Sequence, residues 1–156
     1  MPIKLIKALS VTLIVLFFAS CTKEKIVETI NPVWNVRGNA NSAQEAPTRV
    51  TSPATGSISG TYNKSTNLLS YTITWTGLTG GNPSAMHFHG PADPGISAPV
   101  VIPITGFTAA AAGSVSGTAT LTDAQEIDFM DGLWYYNIHN ATYPGGEIRG
   151  QVFLTQ

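Results

Sequence analysis

Charge is scarce in this chain. Asp, Glu, Lys and Arg make up 11% of its 156 residues, with 8 basic side chains against 9 acidic ones. An ordinary globular domain carries roughly 25%. No basic stripe is present, which excludes the electrostatic footprint of a nucleic-acid binder. Cysteine is scarcer still: Cys21 stands alone, so no internal disulfide is possible and a core must hold the fold together. The sequence has no phosphate loop, no dinucleotide fingerprint and no G-x-S-x-G elbow to present a serine nucleophile. Helical patterning is confined to one stretch, "LTDAQEIDFMDG", which argues against an alternating α/β fold.

Long apolar runs are also missing. The longest, Ala8 to Ala19, spans 12 residues, against roughly 20 for a comfortable transmembrane helix. Lys4 and Lys7 precede it, and it runs into "FAS" directly before Cys21. A positive start, a short apolar middle and a small-residue end mark an export signal. "FAS" before Cys21 resembles the lipobox of bacterial lipoproteins, with Phe18 where leucine is usual. That resemblance implies cleavage before Cys21, its lipidation, and attachment to a membrane of the cell envelope. The expected layout is a signal peptide over 1–20, a lipidated tether over 21–32 and one domain over 33–156. Removing residues 1–20 takes away two lysines and leaves 6 basic against 9 acidic residues, a balance of −3.

Within the domain, Gly and Pro punctuate short runs rich in Thr, Val, Ile and aromatics, as in an all-β antiparallel fold. In "LLSYTITWTGL", Leu69, Tyr71, Ile73 and Trp75 alternate with Ser and Thr, so one face is core and the other wet. "YNKSTN" predicts a turn that pairs this strand with "TGSISGTY". Further strands are expected in "WNVRGNA", "SAMHFH", "PVVIPI", "GSVSGTATL", "GLWYYNIH" and "GEIRGQVFLT". A helix near 122–130 would be capped by Thr122 or Asp123 and closed by Gly132. "ATGSISGT" (54–61) and "AAGSVSGT" (111–118) echo each other. The echo aligns Leu69, Tyr71 and Ile73 with Trp134, Tyr136 and Ile138 as core residues.

The sequence has three histidines, two of them in "AMHFHGPADPG". With Met86 and Phe88 turned to the core, strand alternation puts His87 and His89 on the opposite face. Their Cα atoms should lie roughly 6.5 Å apart, within reach of one ion. The same alternation turns Tyr135, Asn137 and His139 outward, and with them Glu147, Arg149 and Gln151. If the strands are neighbours, three imidazoles share one surface. Three histidines suit copper or zinc and leave a fourth position open. Asn137 or Glu147 would orient the rings. Arg149 would favour an anionic ligand at the open position, or else pair with Glu147. Outward strand positions are polar in any case, so the pattern also fits an ordinary wet face.

"SAQEAP" (42–47), "SYTITWTGLTG" (70–80), "AMHFHGPADPG" (85–95) and "GLWYYNIHNATYPGGEIRGQ" (132–151) together resemble the CHRD domain, the module named after chordin. The resemblance covers essentially the whole domain. It implies an immunoglobulin-like or superoxide-dismutase-like β-sandwich without a settled activity. Through the likeness to copper–zinc superoxide dismutases, His87 and His89 map onto copper ligands, and His139 is a candidate third. The dinuclear site of those enzymes uses six histidines and cannot be assembled from three.

Two classes of function follow. One is a non-enzymatic binding or interaction module in the envelope, holding copper ahead of zinc. The other is a mononuclear copper oxidoreductase related to the dismutases. Metabolic lipid labelling should mark the wild-type chain, and Cys21→Ser should abolish the label. Mass spectrometry finding an unmodified Cys21 in the mature protein would refute the anchor.

Overall fold

The computed structural model describes residues 31–156; the segment expected to be an export signal, and Cys21 with it, lie outside them. Nine strands and one helix follow in the order β1 (Val33–Asn41), β2 (Thr55–Asn63), β3 (Leu68–Thr76), β4 (Pro83–His89), β5 (Val100–Pro103), β6 (Gly113–Thr120), α1 (Asp123–Met130), β7 (Tyr135–Asn140), β8 (Ile148–Gln151) and β9 (Phe153–Thr155). The all-β antiparallel expectation holds. The strands join into one path, β5-β4-β7-β8-β1-β2-β3-β6, with β9 also on β1. The sheet doubles back, and its two halves face each other across the core, so the sandwich is close to a barrel.

The joint between the halves lies at β1. One edge of β1 pairs with β2 along its full length, Val33↔Asn63 to Asn41↔Thr55. Its other edge takes β8 at Asn41↔Arg149 and β9 from Asn35 to Arg37. "GEIRGQVFLT", read as one strand, is therefore broken at Val152. There the backbone N–H turns to the Trp134 carbonyl at 2.9 Å. The chain thus leaves β7 and crosses to β1, stitching the halves together.

Alternation sets the core as expected. Leu69, Tyr71, Ile73 and Trp75 are buried beside Met86, Phe88, Trp134, Tyr136 and Ile138. Tyr71 from one half meets Phe88 from the other edge-to-face, with centroids 5.1 Å apart, a favoured aromatic geometry. The helix adds Phe129, wedged between Tyr62 and Trp134. Thr122 caps it, and Gln125 reciprocates in a capping box, satisfying two otherwise free backbone donors.

The internal echo has a packing reason. The two similar strings form β2 and β6, which flank β3 in matching register, so Gly60 and Gly117 both stand opposite Tyr71. A Cβ at Gly117 would lie 2.5 Å from the Tyr71 hydroxyl. The Tyr71 ring thus leaves no room for a side chain at Gly117, while at Gly60 it is the backbone of Ser70 and Tyr71 that a Cβ would strike.

Gly38 occupies the joint, where a Cβ would fall 2.2 Å from the Gln151 carbonyl oxygen, a backbone atom that cannot swing away. Gly38→Ala should therefore cost about 2 kcal/mol or more in urea unfolding, in the range of overpacked sites. Gly145→Ala, with nothing within 4 Å of the new methyl, should be near neutral. Equal midpoints for the two variants would contradict the joint.

Candidate functional site

The candidate site grows from the pairing of β4 with β7. His87 stands opposite Asn137, His89 opposite Tyr135 and Ala85 opposite His139. No strand intervenes, so the imidazoles of the two strands converge. His87 Nδ1 and His139 Nε2 are 3.2 Å apart. One ligand nitrogen from each of His87, His89 and His139 can be chosen so that all lie within 4.8 Å of one another. Three nitrogens around one ion at about 2.0–2.1 Å would stand roughly 3.3–3.6 Å apart. Small side-chain rotations close the difference.

Two backbone carbonyls set the ring states. His89 Nδ1 lies 3.0 Å from the Ala98 oxygen, and His139 Nδ1 lies 2.9 Å from the Pro144 oxygen. A carbonyl only accepts, so each Nδ1 carries the hydrogen and each neutral ring keeps its lone pair on Nε2. His89 Nε2 is buried without a hydrogen-bond partner. Burial lowers the pKa of all three rings. Mutual repulsion lowers His87 and His139 further, through His89 for the first and through both neighbours for the second. Between the rings, His87 Nδ1–H donates to His139 Nε2, a proton that an incoming cation would displace. Gathered nitrogens and a bias to the neutral form are what ligation of a cation requires.

The outer face itself departs from expectation. His87 and His139 are half-buried, while His89, Tyr135, Asn137, Glu147, Arg149 and Gln151 are buried. Alternation placed them off the main core correctly, but chain segments cover them. Ala92 N–H donates to the Leu133 carbonyl at 2.8 Å. Ala98 holds His89 and also donates its N–H to the Tyr135 hydroxyl at 3.1 Å. Ser42 and Ser52 tie a second covering segment together. A second, polar core results.

Glu147 is not beside the histidines. Its carboxylate accepts from Ser52, from the backbone and hydroxyl of Thr79, from Gly80 N–H and from Asn140. Burial alone would raise its pKa, but these donors outweigh it and hold the carboxyl below its usual value. Asn137 stays next to the cluster, yet its amide donates to the Gly145 carbonyl at 3.3 Å and its Oδ1 has no partner. Glu147 thus takes no part in orienting the rings; the carbonyls of Ala98 and Pro144 hold two of them at Nδ1, and a hydrogen bond from Asn137 acts on His89.

Arg149 pairs with neither Glu147 nor the open side of the histidines. Its guanidinium lies 3.5 Å from the centroid of the Tyr135 ring, a cation–π contact. His89 stacks on the same ring at 4.8 Å and 2°. Because β4 and β8 flank β7, His89 and Arg149 approach Tyr135 from opposite sides. The carboxyl whose charge acts on it is that of Glu45, a residue outside the expected site. Glu45 is an acid in a run of small residues, "SAQEAP", within a charge-poor chain. That was the one available signal.

Burial pushes the Glu45 carboxyl up to about 7, only partly countered by Arg149 and by hydrogen bonds from Ala46 and Asn137. A carboxyl raised in the folded state keeps its proton longer there than in the unfolded chain. Stability should then fall as pH rises from about 4.5 to about 7. Glu45→Gln should accordingly gain on wild type by about 1–3 kcal/mol between pH 4.5 and pH 8. Urea unfolding at both pH values measures this, and a gap independent of pH would show that Glu45 titrates normally.

A family model for the CHRD domain matches residues 37–152. No match was found among curated proteins or among solved structures. The match runs from Arg37, within β1, to Val152 and includes every residue of the histidine cluster and both covering segments. This chain therefore belongs to the CHRD domain family.

Proposed function

We propose that this protein is a non-enzymatic binding module of the cell envelope, anchored through lipidated Cys21, that holds a single copper ion on His87, His89 and His139. The family membership supports a binding or interaction module. The observation that carries the metal reading is the pair of carbonyls at Ala98 and Pro144, which fix the lone pairs of His89 and His139 on Nε2. Metal-bound histidines are held in this way by their outer N–H. His87 completes the set through Nδ1, which faces His139. Three neutral nitrogens favour copper(II) over zinc by intrinsic affinity. The half-buried His87 and His139 leave a path for the ion. A net charge of −3 for the mature chain suits a cation better than nucleic acid.

Calorimetric titration of the metal-free protein tests the site. Copper should bind one-to-one, zinc more weakly, and acidification toward pH 5 should weaken both because protonated imidazole does not ligate. His87→Ala and His139→Ala should each abolish tight binding. Wild-type affinity in His139→Ala would refute the three-histidine site. Metal-dependent superoxide disproportionation would replace the binding module with an oxidoreductase.

A further inference from the structure

A cleft of about 340 Å³ opens beside the second polar core, on the far side of Tyr135 from the histidines. The 43–49 segment lines one side, the Pro94–Gly95 turn the other, and Arg149 and Gln151 of β8 complete it. Three lining side chains are more than nine-tenths buried: Glu45 at 4% exposure, Arg149 at 1% and Gln151 at 4%. Each has a buried atom without a hydrogen-bond partner, namely Glu45 Oε1, Arg149 Nη1 and Gln151 Oε1. Buried polar groups are satisfied in the great majority of cases. Three unsatisfied ones around a single cleft point to something that fills it.

The guanidinium defines the first requirement. Arg149 donates from Nη2 to the Asp93 carbonyl at 3.4 Å and rests on the Tyr135 ring; both contacts are neutral. Among the described residues the ion pair present is Lys64–Glu126, so Arg149 and Glu45 share the cleft without closing on each other. A buried cation without a close counter-charge is costly. Arg49, exposed at the rim, brings a second guanidinium to the same opening. A carboxylate matches this pair, since its two oxygens accept from a guanidinium fork.

Gln151 defines the second requirement. Its amide nitrogen donates to the carbonyls of Ala92 and Gly132 at 2.9 and 2.8 Å, which fixes the side chain. Its Oε1 is left as an oriented acceptor. The Glu45 carboxyl lies nearby, with its Oε1 turned toward Gly146 and the Asn137 amide. The occupant must therefore present a donor next to its acid.

We propose that this cleft is a second binding site, for a small carboxylate that carries a hydroxyl or amine on the adjacent carbon. The carboxylate pairs with Arg149 and Arg49, and the adjacent donor reaches Gln151 Oε1. The cleft, at the small end of ligand pockets, admits a molecule of this size together with water. The site uses no histidine, so it stands apart from the metal reading and survives the failure of that reading.

Calorimetric titration of the metal-free protein, in chelator, with lactate, glycine, acetate and lactamide tests the proposal. Lactate or glycine should bind saturably one-to-one, about tenfold more tightly than acetate, which lacks the donor. Which of the two binds identifies the donor. Lactamide, which lacks the acid, should fail. Arg49→Gln lies on the surface and should weaken binding about tenfold with the unfolding midpoint unchanged. Arg149→Lys should weaken it further by losing the fork; if that buried substitution prevents folding, Arg49→Gln decides alone. His139→Ala should leave the affinity intact. Absence of saturable binding by either lactate or glycine, equal binding of lactamide, or full affinity in Arg49→Gln would each overturn the site.

Discussion

The covering of the outer face of β4, β7 and β8 is the constraint on which the rest of the site depends. The 90–99 segment is closed on itself by the hydrogen bond from Gly90 to Pro99 and laid onto that face by the one from Ala92 to Leu133. Its Ala98 carbonyl then becomes the acceptor that selects the tautomer of His89. The same cover removes Arg149, Tyr135 and Gln151 from water. With an open face, the histidines would be solvated rings free to turn, and the arginine an ordinary surface cation. Withdrawal from water is what gives each of these groups a defined state.

Three buried charged groups are treated in three different ways. Glu147 is saturated with donors from the backbone and hydroxyls of neighbouring loops, and it is held ionised. Arg149 keeps its charge against an aromatic face. Glu45 has the least help, and burial moves it toward the neutral acid. Donors that close completely on a group make it structural, as at Glu147. Incomplete closure leaves capacity for a partner, as along the wall that Glu45, Arg149 and Gln151 share. In a chain with 11% charged residues, concentrating three of them in one polar layer sets that layer apart from the hydroxyl-rich remainder of the surface.

Much of this was legible in the order of residues. The alternation in "LLSYTITWTGL" identified four core positions, and the capping residues around "DAQEIDFM" located the helix. The facing of His87, His89 and His139 away from the main core followed from Met86, Phe88 and Ile138 alone. Glu147 was misplaced because strand alternation says which face a side chain leaves by, and nothing about which loop meets it there. The break at Val152 was equally hidden, since a strand that changes partners keeps its residue pattern.

The sequence by itself determined the two-residue periodicity, hence the all-β class, the main core and the face on which the histidines stand. These are local consequences of pleat geometry and of apolar burial. Tertiary structure alone decided that β4 and β7 are neighbours, and so that residues 87 and 139, distant in the chain, come within 3.2 Å. It also decided that the opposite face is covered, that two carbonyls orient the rings, and that Arg149 meets Tyr135 and the cleft of Glu45. Each of these rests on contacts between distant segments, and alternation along a strand carries no information about what the other segment brings.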